Sequence, residues 1–140
     1  MNNDNNCMYC TQNENLQHLM IEIATLGVST LYLFKEQSYK GRCVLAYNGH
    51  VNQLFELSDE NLALFMKDVK KVALAVDKAF SPTKINYGAF SDTLSHLHMH
   101  IVPKYEGGYT WGKTFEMNPQ KVYFNEDEYK NIISMIKENL

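Results

Sequence analysis

SHLHMHIVPK, residues 95–104, places His96, His98 and His100 at alternate positions, with Leu97, Met99 and Ile101 between them. On a β-strand, residues i, i+2 and i+4 project from one face. The three imidazoles therefore share a side, and the three apolar chains face a core. Same-face neighbours on a strand stand ~6.6 Å apart. Such a row suits groups arranged along an extended anion better than three ligands converging on one ion. An imidazole near neutral pH is a nucleophile through one nitrogen while the other donates its proton to a carbonyl. A second imidazole can hold a phosphate oxygen or pass a proton to a leaving group. Residues 90–95 form a polar turn that adds the Ser91, Thr93 and Ser95 hydroxyls and backbone N–H groups as donors to phosphate oxygens. Taken alone, the stretch supports phosphoryl or nucleotidyl transfer through a covalent histidine, with a metal site as the competing reading.

Outward from this strand, residues 84–89 (KINYGA) read as another, and residues 30–35 (TLYLFK) and 42–47 (RCVLAY) as a hairpin joined through Gly41. Ser58 caps a long helix whose first turn holds Asp59 and Glu60. Its stripe of Leu62, Phe65, Met66, Val69, Val72, Ala73, Val76 and Phe80 stops before Pro82. A last helix starts near residues 125–128, with Tyr129, Ile132, Ile133 and Ile136 on one face. Leu16, Leu19, Met20, Ile23 and Leu26 recur at helical spacing up to Gly27, which predicts a first amphipathic helix. The order helix, two strands, long helix, two strands, helix predicts an α+β domain around an antiparallel sheet covered by the long helix.

A length of 140 residues suits one domain spanning 1–140, with polar residues 1–6 frayed and residues 105–140 forming a C-terminal segment and helix. With 45% hydrophobic and 21% charged residues, the chain has the balance of a globular protein, not of a disordered one. Thirteen basic residues against 16 acidic ones, in no basic run, give no footprint for nucleic acid. No window reaches the ~18 apolar residues of a membrane span, and MNNDNNCMYC lacks the form of a secretory signal. The expected compartment is the cytoplasm. There the three cysteines stay reduced, which turns attention to metal binding or burial.

Cys7-Met8-Tyr9-Cys10 has a spacing compatible with two thiolates on one zinc, but no second Cys-x-x-Cys follows. No strand precedes the motif and no βαβ unit surrounds it, so a thioredoxin-like role fails. Cys43, inside a strand, reads as a buried small residue. His18 reads as a surface residue, near enough to the cysteines to be a substitute ligand.

HLHMHIV, residues 96–102, resembles the His-x-His-x-His-x-x signature of the histidine triad (HIT) hydrolases, in which x is hydrophobic. The likeness extends over the hairpin ending at Tyr47, residues 50–57 (HVNQLFEL), the long helix and residues 84–90 (KINYGAF). It implies a half-barrel sheet packed by the long helix. It also implies that His98 is the nucleophile, attacking the α-phosphorus of a nucleoside phosphate ester, phosphoramidate or dinucleoside polyphosphate of adenosine or guanosine. A nucleotidyl-histidine would then be hydrolysed by water. By the same resemblance His100 contacts the phosphate and assists the leaving group, with Thr93 and Asn86 beside it; Ser91 is a further phosphate-binding candidate from the polar turn alone. A histidine at the triad's third position favours hydrolysis over transfer, and the chemistry needs no metal.

The resemblance to a bacterial subset with an N-terminal Cys-x-x-Cys implies a structural zinc held by Cys7, Cys10, His50 and His96. His96 is thus both a triad member and a metal ligand. Homodimers that pair two half-barrels are common in the family. Four positions depart from its pattern. Ser91-Asp92 stands where relatives commonly have Gly-Gln, which puts a carboxylate beside the phosphate site unless it points away or pairs with Lys104 or Arg42. Arg42 replaces a fourth histidine. Glu36 is the nearest match to the ribose-binding acid. Residues 105–112, with Trp111, either cover the substrate or pack on the sheet. A non-catalytic nucleotide-binding or zinc-stabilised interaction module is the alternative.

Overall fold

The computed structural model describes residues 3–140. The expectation of fraying in residues 1–6 lies partly outside them. Two short helices, α1 (Met8–Thr11) and α2 (Glu14–Leu19), lead into strands β1 (Met20–Thr25), β2 (Ser29–Phe34) and β3 (Cys43–Tyr47). A 3-10 turn (Leu54–Glu56) precedes α3 (Asp59–Phe80), and β4 (Lys84–Gly88), β5 (His98–Lys104) and α4 (Glu126–Glu138) complete the order. The five strands form one antiparallel open sheet in the order β1-β2-β3-β5-β4, so the α+β expectation stands.

The cap predicted at Ser58 forms, and α4 is capped as well. The Ser58 hydroxyl accepts from the Asn61 N–H at the head of α3, and the Asn125 side chain accepts from Glu128 N–H at the head of α4. Phe65, Val69, Val72 and Val76 of α3, with Ile132 and Ile136 of α4, pack on Leu31, Leu33, Leu45, Met99 and Ile101. The opposite face of the sheet is also covered, by Met8, Tyr9, Leu16 and Met20 against Tyr32, Phe34, Val44 and Ala46. Consequently β3 and β5 are buried along their whole length.

The first predicted helix is corrected: only Glu14–Leu19 is helical, and Met20–Thr25 is a strand. Met20, Ile21 and Glu22 pair in register with Phe34, Leu33 and Tyr32, but Ala24 then pairs with Leu31, leaving Ile23 as a bulge. Both faces of this strand meet apolar neighbours. The bulge therefore turns a two-residue period into a run of apolar positions that imitates helical spacing.

One glycine is required by geometry. Gly41 has φ +91°, and a Cβ there would stand 2.5 Å from the Phe80 ring, so the β2–β3 connection closes against the end of α3 only without a side chain.

Candidate active site

Antiparallel pairing puts His100 opposite Val44 and His98 opposite Ala46 on the face away from α3. The strand begins at His98, not at His96 as predicted. The chain is therefore free to turn at His96, and the three imidazoles do not form one straight row. All three are buried, at 2%, 4% and 3% exposure. Tyr9 from α1 lies against the first two, with ring centroids 5.0 Å from His96 and 5.3 Å from His98. The His98 and His100 rings are 5.3 Å apart.

Hydrogen bonds assign a different proton pattern to each ring. His98 Nδ1 donates to the His96 carbonyl at 2.6 Å, which leaves Nε2 as the lone-pair nitrogen. His96 Nε2 donates to the Tyr47 carbonyl at 2.7 Å, so its Nδ1 carries the lone pair. Arg42 Nη2 lies 3.1 Å from His100 Nδ1. A guanidinium only donates, so that nitrogen accepts and His100 carries its proton on Nε2. Burial pushes the pKa of His98 below the usual imidazole value, partly offset by its bond to the His96 carbonyl. Burial, with the Arg42 charge adding to it, takes His100 down to about 3.

His98 and His100 open into a cavity of about 530 Å³. Leu19, Met20, Phe34 and Phe90 supply apolar walls, Asp92 and Thr93 come from the turn before the triad, and Phe115, Met117 and Asn118 close it from the segment after β5. Gly88, opposite His100 on β4, makes room for this wall: a Cβ there would stand 2.5 Å from Phe90 and 2.9 Å from Phe115.

Among the predicted phosphate and ribose residues, Thr93 is brought to the cavity. The Ser91 hydroxyl is 3.3 Å from the Asn52 carbonyl, and Asn86 shares the histidine face on β4; neither lines the cavity. Glu36 is not brought there. Its carboxylate accepts from Ser38 N–H and hydroxyl and from the N–H groups of Lys121 and Val122, at 2.7–3.0 Å. Asp92 is exposed at the cavity edge. Lys104 donates to the carbonyls of Thr110 and Lys113, and Arg42 to that of Glu116, so neither pairs with Asp92. Residues beyond Trp111 do the enclosing, through Phe115, Met117 and Asn118. Sequence reasoning missed Tyr9, Phe34 and Phe115. The signal for the first two was available: Tyr9 sits inside the Cys-x-x-Cys, and Phe34 lies on the histidine side of β2.

The lone pair of His96 faces the second constellation. Cys7, Cys10, His50 and His96 each offer one ligand atom, all within 4.8 Å of one another. His96 Nδ1 is 3.3 Å from Cys7 Sγ, 3.7 Å from Cys10 Sγ and 3.3 Å from His50 Nδ1, and Cys10 Sγ is 3.4 Å from His50 Nδ1. Ligands at ordinary Zn–N and Zn–S bond lengths around a tetrahedron stand ~3.3–3.8 Å apart. These residues therefore fit a metal ion. The far nitrogen of His96 is held as a ligating imidazole requires, Nε2 donating to the Tyr47 carbonyl, while His50 Nε2 lies 4.0 Å from the Asp4 carboxylate, beyond hydrogen-bond distance. His18, on α2, is exposed and outside the cluster. Cys43 is fully buried, and burial pushes its thiol pKa up. Among the described residues no helix is long and apolar enough to cross a membrane.

Comparison with known proteins agrees with this geometry. The model of the HIT domain matches residues 29–107. Protein hit of Bacillus subtilis (strain 168) is 25% identical over 114 residues, 78% of this chain and 77% of the relative. The adenosine 5'-monophosphoramidase hnt1 of Schizosaccharomyces pombe is 27% identical over 107 residues, 73% of this chain and 80% of the relative. The crystal structure of a histidine triad protein from Sinorhizobium meliloti 1021 superposes with a TM-score of 0.84 at 26% identity, covering 91% of this chain and 95% of that one.

Proposed function

The chain belongs to the histidine triad (HIT) family, and on that premise we propose that it hydrolyses nucleoside phosphoramidates or related nucleoside phosphate esters and anhydrides at the α-phosphorus. One observation carries the reading. His98 has its Nδ1 proton on the His96 carbonyl and its Nε2 lone pair without a partner among the described residues, in a ring lining a cavity large enough for a nucleotide. The phosphoramidase name of the fission-yeast relative points to the same chemistry.

In the proposed reaction Nε2 of His98 attacks the α-phosphorus. An N–P bond forms, and the bond to the leaving nitrogen or oxygen breaks, the leaving group keeping the electron pair and taking up a proton from solvent, which the attacking water of the second step gives back. The positive charge that develops on the ring is stabilised by the His96 carbonyl at Nδ1. His100 donates its Nε2 proton as a hydrogen bond to a phosphate oxygen, and Thr93 offers its hydroxyl and N–H. Water then attacks phosphorus, the N–P bond breaks, and the nucleoside monophosphate leaves with His98 restored.

Cys7, Cys10, His50 and His96 would hold a zinc ion as a closed structural site. When bound it supplies no open position for substrate and ties α1 to the start of β5. Reduced thiols at Cys7 and Cys10 suit the cytoplasm. A second copy would extend the sheet at β4, one of its two edge strands, where Tyr87 and the α3 residue Met66 are exposed side by side. The exposed Asp92 at the cavity edge favours one other reading, a module that binds nucleotide without turning it over.

The test is turnover of adenosine 5'-phosphoramidate by the wild type and by His98→Asn, with mass spectrometry for an adenylyl adduct after mixing with excess enzyme. The expected result is turnover and an adduct on His98 in the wild type, and neither in a folded His98→Asn. Full activity in that variant would end the proposal. Tight binding of adenosine 5'-monophosphate, with no ester or amidate cleaved, would install the binding module in its place.

A further inference from the structure

The least expected group beside the cavity is Arg42. It is 0% exposed, yet no carboxylate pairs with it: the ion-pair contacts among the described residues join His50 to Asp4 and Lys130 to Glu126. Its guanidinium lies 4.2 Å above the centre of the Phe34 ring and 5.2 Å from that of Phe115, and its Nε has no hydrogen-bond partner among the described residues. Burying a cation without a counterion is costly. Burial lowers even this side chain's pKa, to about 10, which still leaves it charged at neutral pH.

Three contacts give the charge a task. Nη2 meets His100 Nδ1 at 3.1 Å, Nη1 donates to the Glu116 carbonyl at 3.2 Å, and Nη2 also lies 3.6 Å from Met117 Sδ. The first contact determines which His100 nitrogen bears hydrogen. The others fasten the wall that Phe115 and Met117 present to the cavity. Of the groups that face His100, only His98 on β5 and Arg42 at the head of β3 carry or can carry charge. β2 offers Phe34, β4 offers Gly88 and the later segment offers Phe115, while Asp92 lines the same cavity.

Resting on the proposed function, we propose that Arg42 is a positioning residue for the anionic phosphate. It holds His100 in the neutral tautomer with its proton on Nε2, and its charge, met by no carboxylate at ion-pair distance among the described residues, favours an anion in the cavity. A histidine at position 42 could reverse its bond to His100, donating or accepting. An arginine cannot. His100 is thereby committed to donating, which leaves the nucleophilic lone pair to His98 alone.

The experiment is long-range ¹H–¹⁵N spectroscopy of the histidine rings at neutral pH, with adenosine 5'-monophosphate binding measured on the same samples. In the wild type, His100 should show an unprotonated Nδ1 and a protonated Nε2. Arg42→Met should mix the tautomers and weaken nucleotide binding by about tenfold or more, the worth of one hydrogen bond to a charged group. Arg42→Lys, which keeps the charge but loses the fork, should recover part of the affinity. A wild-type His100 protonated on Nδ1 would overturn the proposal, and so would a folded Arg42→Met that binds the nucleotide as tightly as the wild type. Should Arg42→Met fail to fold, the wild-type tautomer and Arg42→Lys decide. These readouts involve no turnover, so failure of hydrolysis would count against the proposed function and not against this role.

Discussion

The carbonyl oxygen of His96 accepts the Nδ1 proton of His98 at 2.6 Å, while the His96 ring turns away to place its own Nδ1 3.3 Å from Cys7 Sγ. One residue thus serves two centres, through its main chain and through its side chain. The departure from strand geometry at His96 makes this possible. A residue fully inside β5 would have presented its ring alongside His98. Whatever fixes the His96 ring also fixes the carbonyl that orients His98, the proposed nucleophile.

Protein purified without chelator should contain about one zinc per chain, read by elemental analysis. Cys7→Ser should lose it and unfold at a temperature several degrees lower, because the ion would join the start of α1 to the residue ahead of β5 across sequence separations of 86 and 89. Metal-free wild type, with stability unchanged in Cys7→Ser, would remove the site.

Stability should fall with acid in a way traceable to His100. Its folded pKa, about 3, lies below the ordinary 6.5, so between those values the unfolded chain binds more protons than the folded one. The neutral ring's contribution is fully present above about 6.5 and is lost as pH falls towards 3, at about 1.4 kcal/mol per pH unit. Urea unfolding from pH 7 to pH 5 should show at least this slope, and His100→Phe should make it shallower, the remainder coming from His96 and His98, which burial also holds below the usual imidazole value. An identical slope in that variant would place the acid sensitivity elsewhere.

The long elements were legible because local signals agreed. Ser58 and Pro82 bracketed the stripe of α3, and alternation marked β5. β1 was not legible, because the Ile23 bulge and apolar cover on both faces erased its two-residue period. The ring directions of the triad were hidden for another reason. They depend on partners distant in the chain, Tyr47 for His96 and Arg42 for His100, which spacing along one strand does not encode. The same holds for Glu36, whose partners Lys121 and Val122 are 85 and 86 residues away.

Asp68 tests the scaffold without touching the chemistry. From α3 its carboxylate accepts from Gly27 N–H, Val28 N–H and the Ser29 hydroxyl, at 3.2, 2.9 and 2.6 Å, and so ties the β1–β2 turn to the helix. Asp68→Ala leaves these donors without their acceptor, and the expected loss is about 2–3 kcal/mol in denaturant unfolding. Turnover of the folded fraction should be unchanged. A drop in kcat with normal stability would contradict a purely structural role.

Glu36 should prove to be an anchor of the cavity wall and not a ribose ligand. Burial would raise its pKa, but the bonds from Lys121, Ser38 and Val122 outweigh that and hold the carboxyl below the usual carboxylate value, hence ionised. Those bonds tie the chain beyond Asn118 back to the end of β2, while the Tyr39 hydroxyl contacts the Thr110 hydroxyl and accepts from Glu116 N–H on the same segment. Glu36→Ala should therefore loosen Phe115, Met117 and Asn118 together. For adenosine 5'-phosphoramidate we expect KM to rise by about tenfold, as for the loss of a charge-assisted anchor, with kcat changed much less, because His98 and His100 keep their partners. The discriminating measurement is a 2'-deoxy substrate. A ribose contact through Glu36 would make the wild type, but not Glu36→Ala, sensitive to the missing hydroxyl. An anchor predicts the same response to that hydroxyl in both.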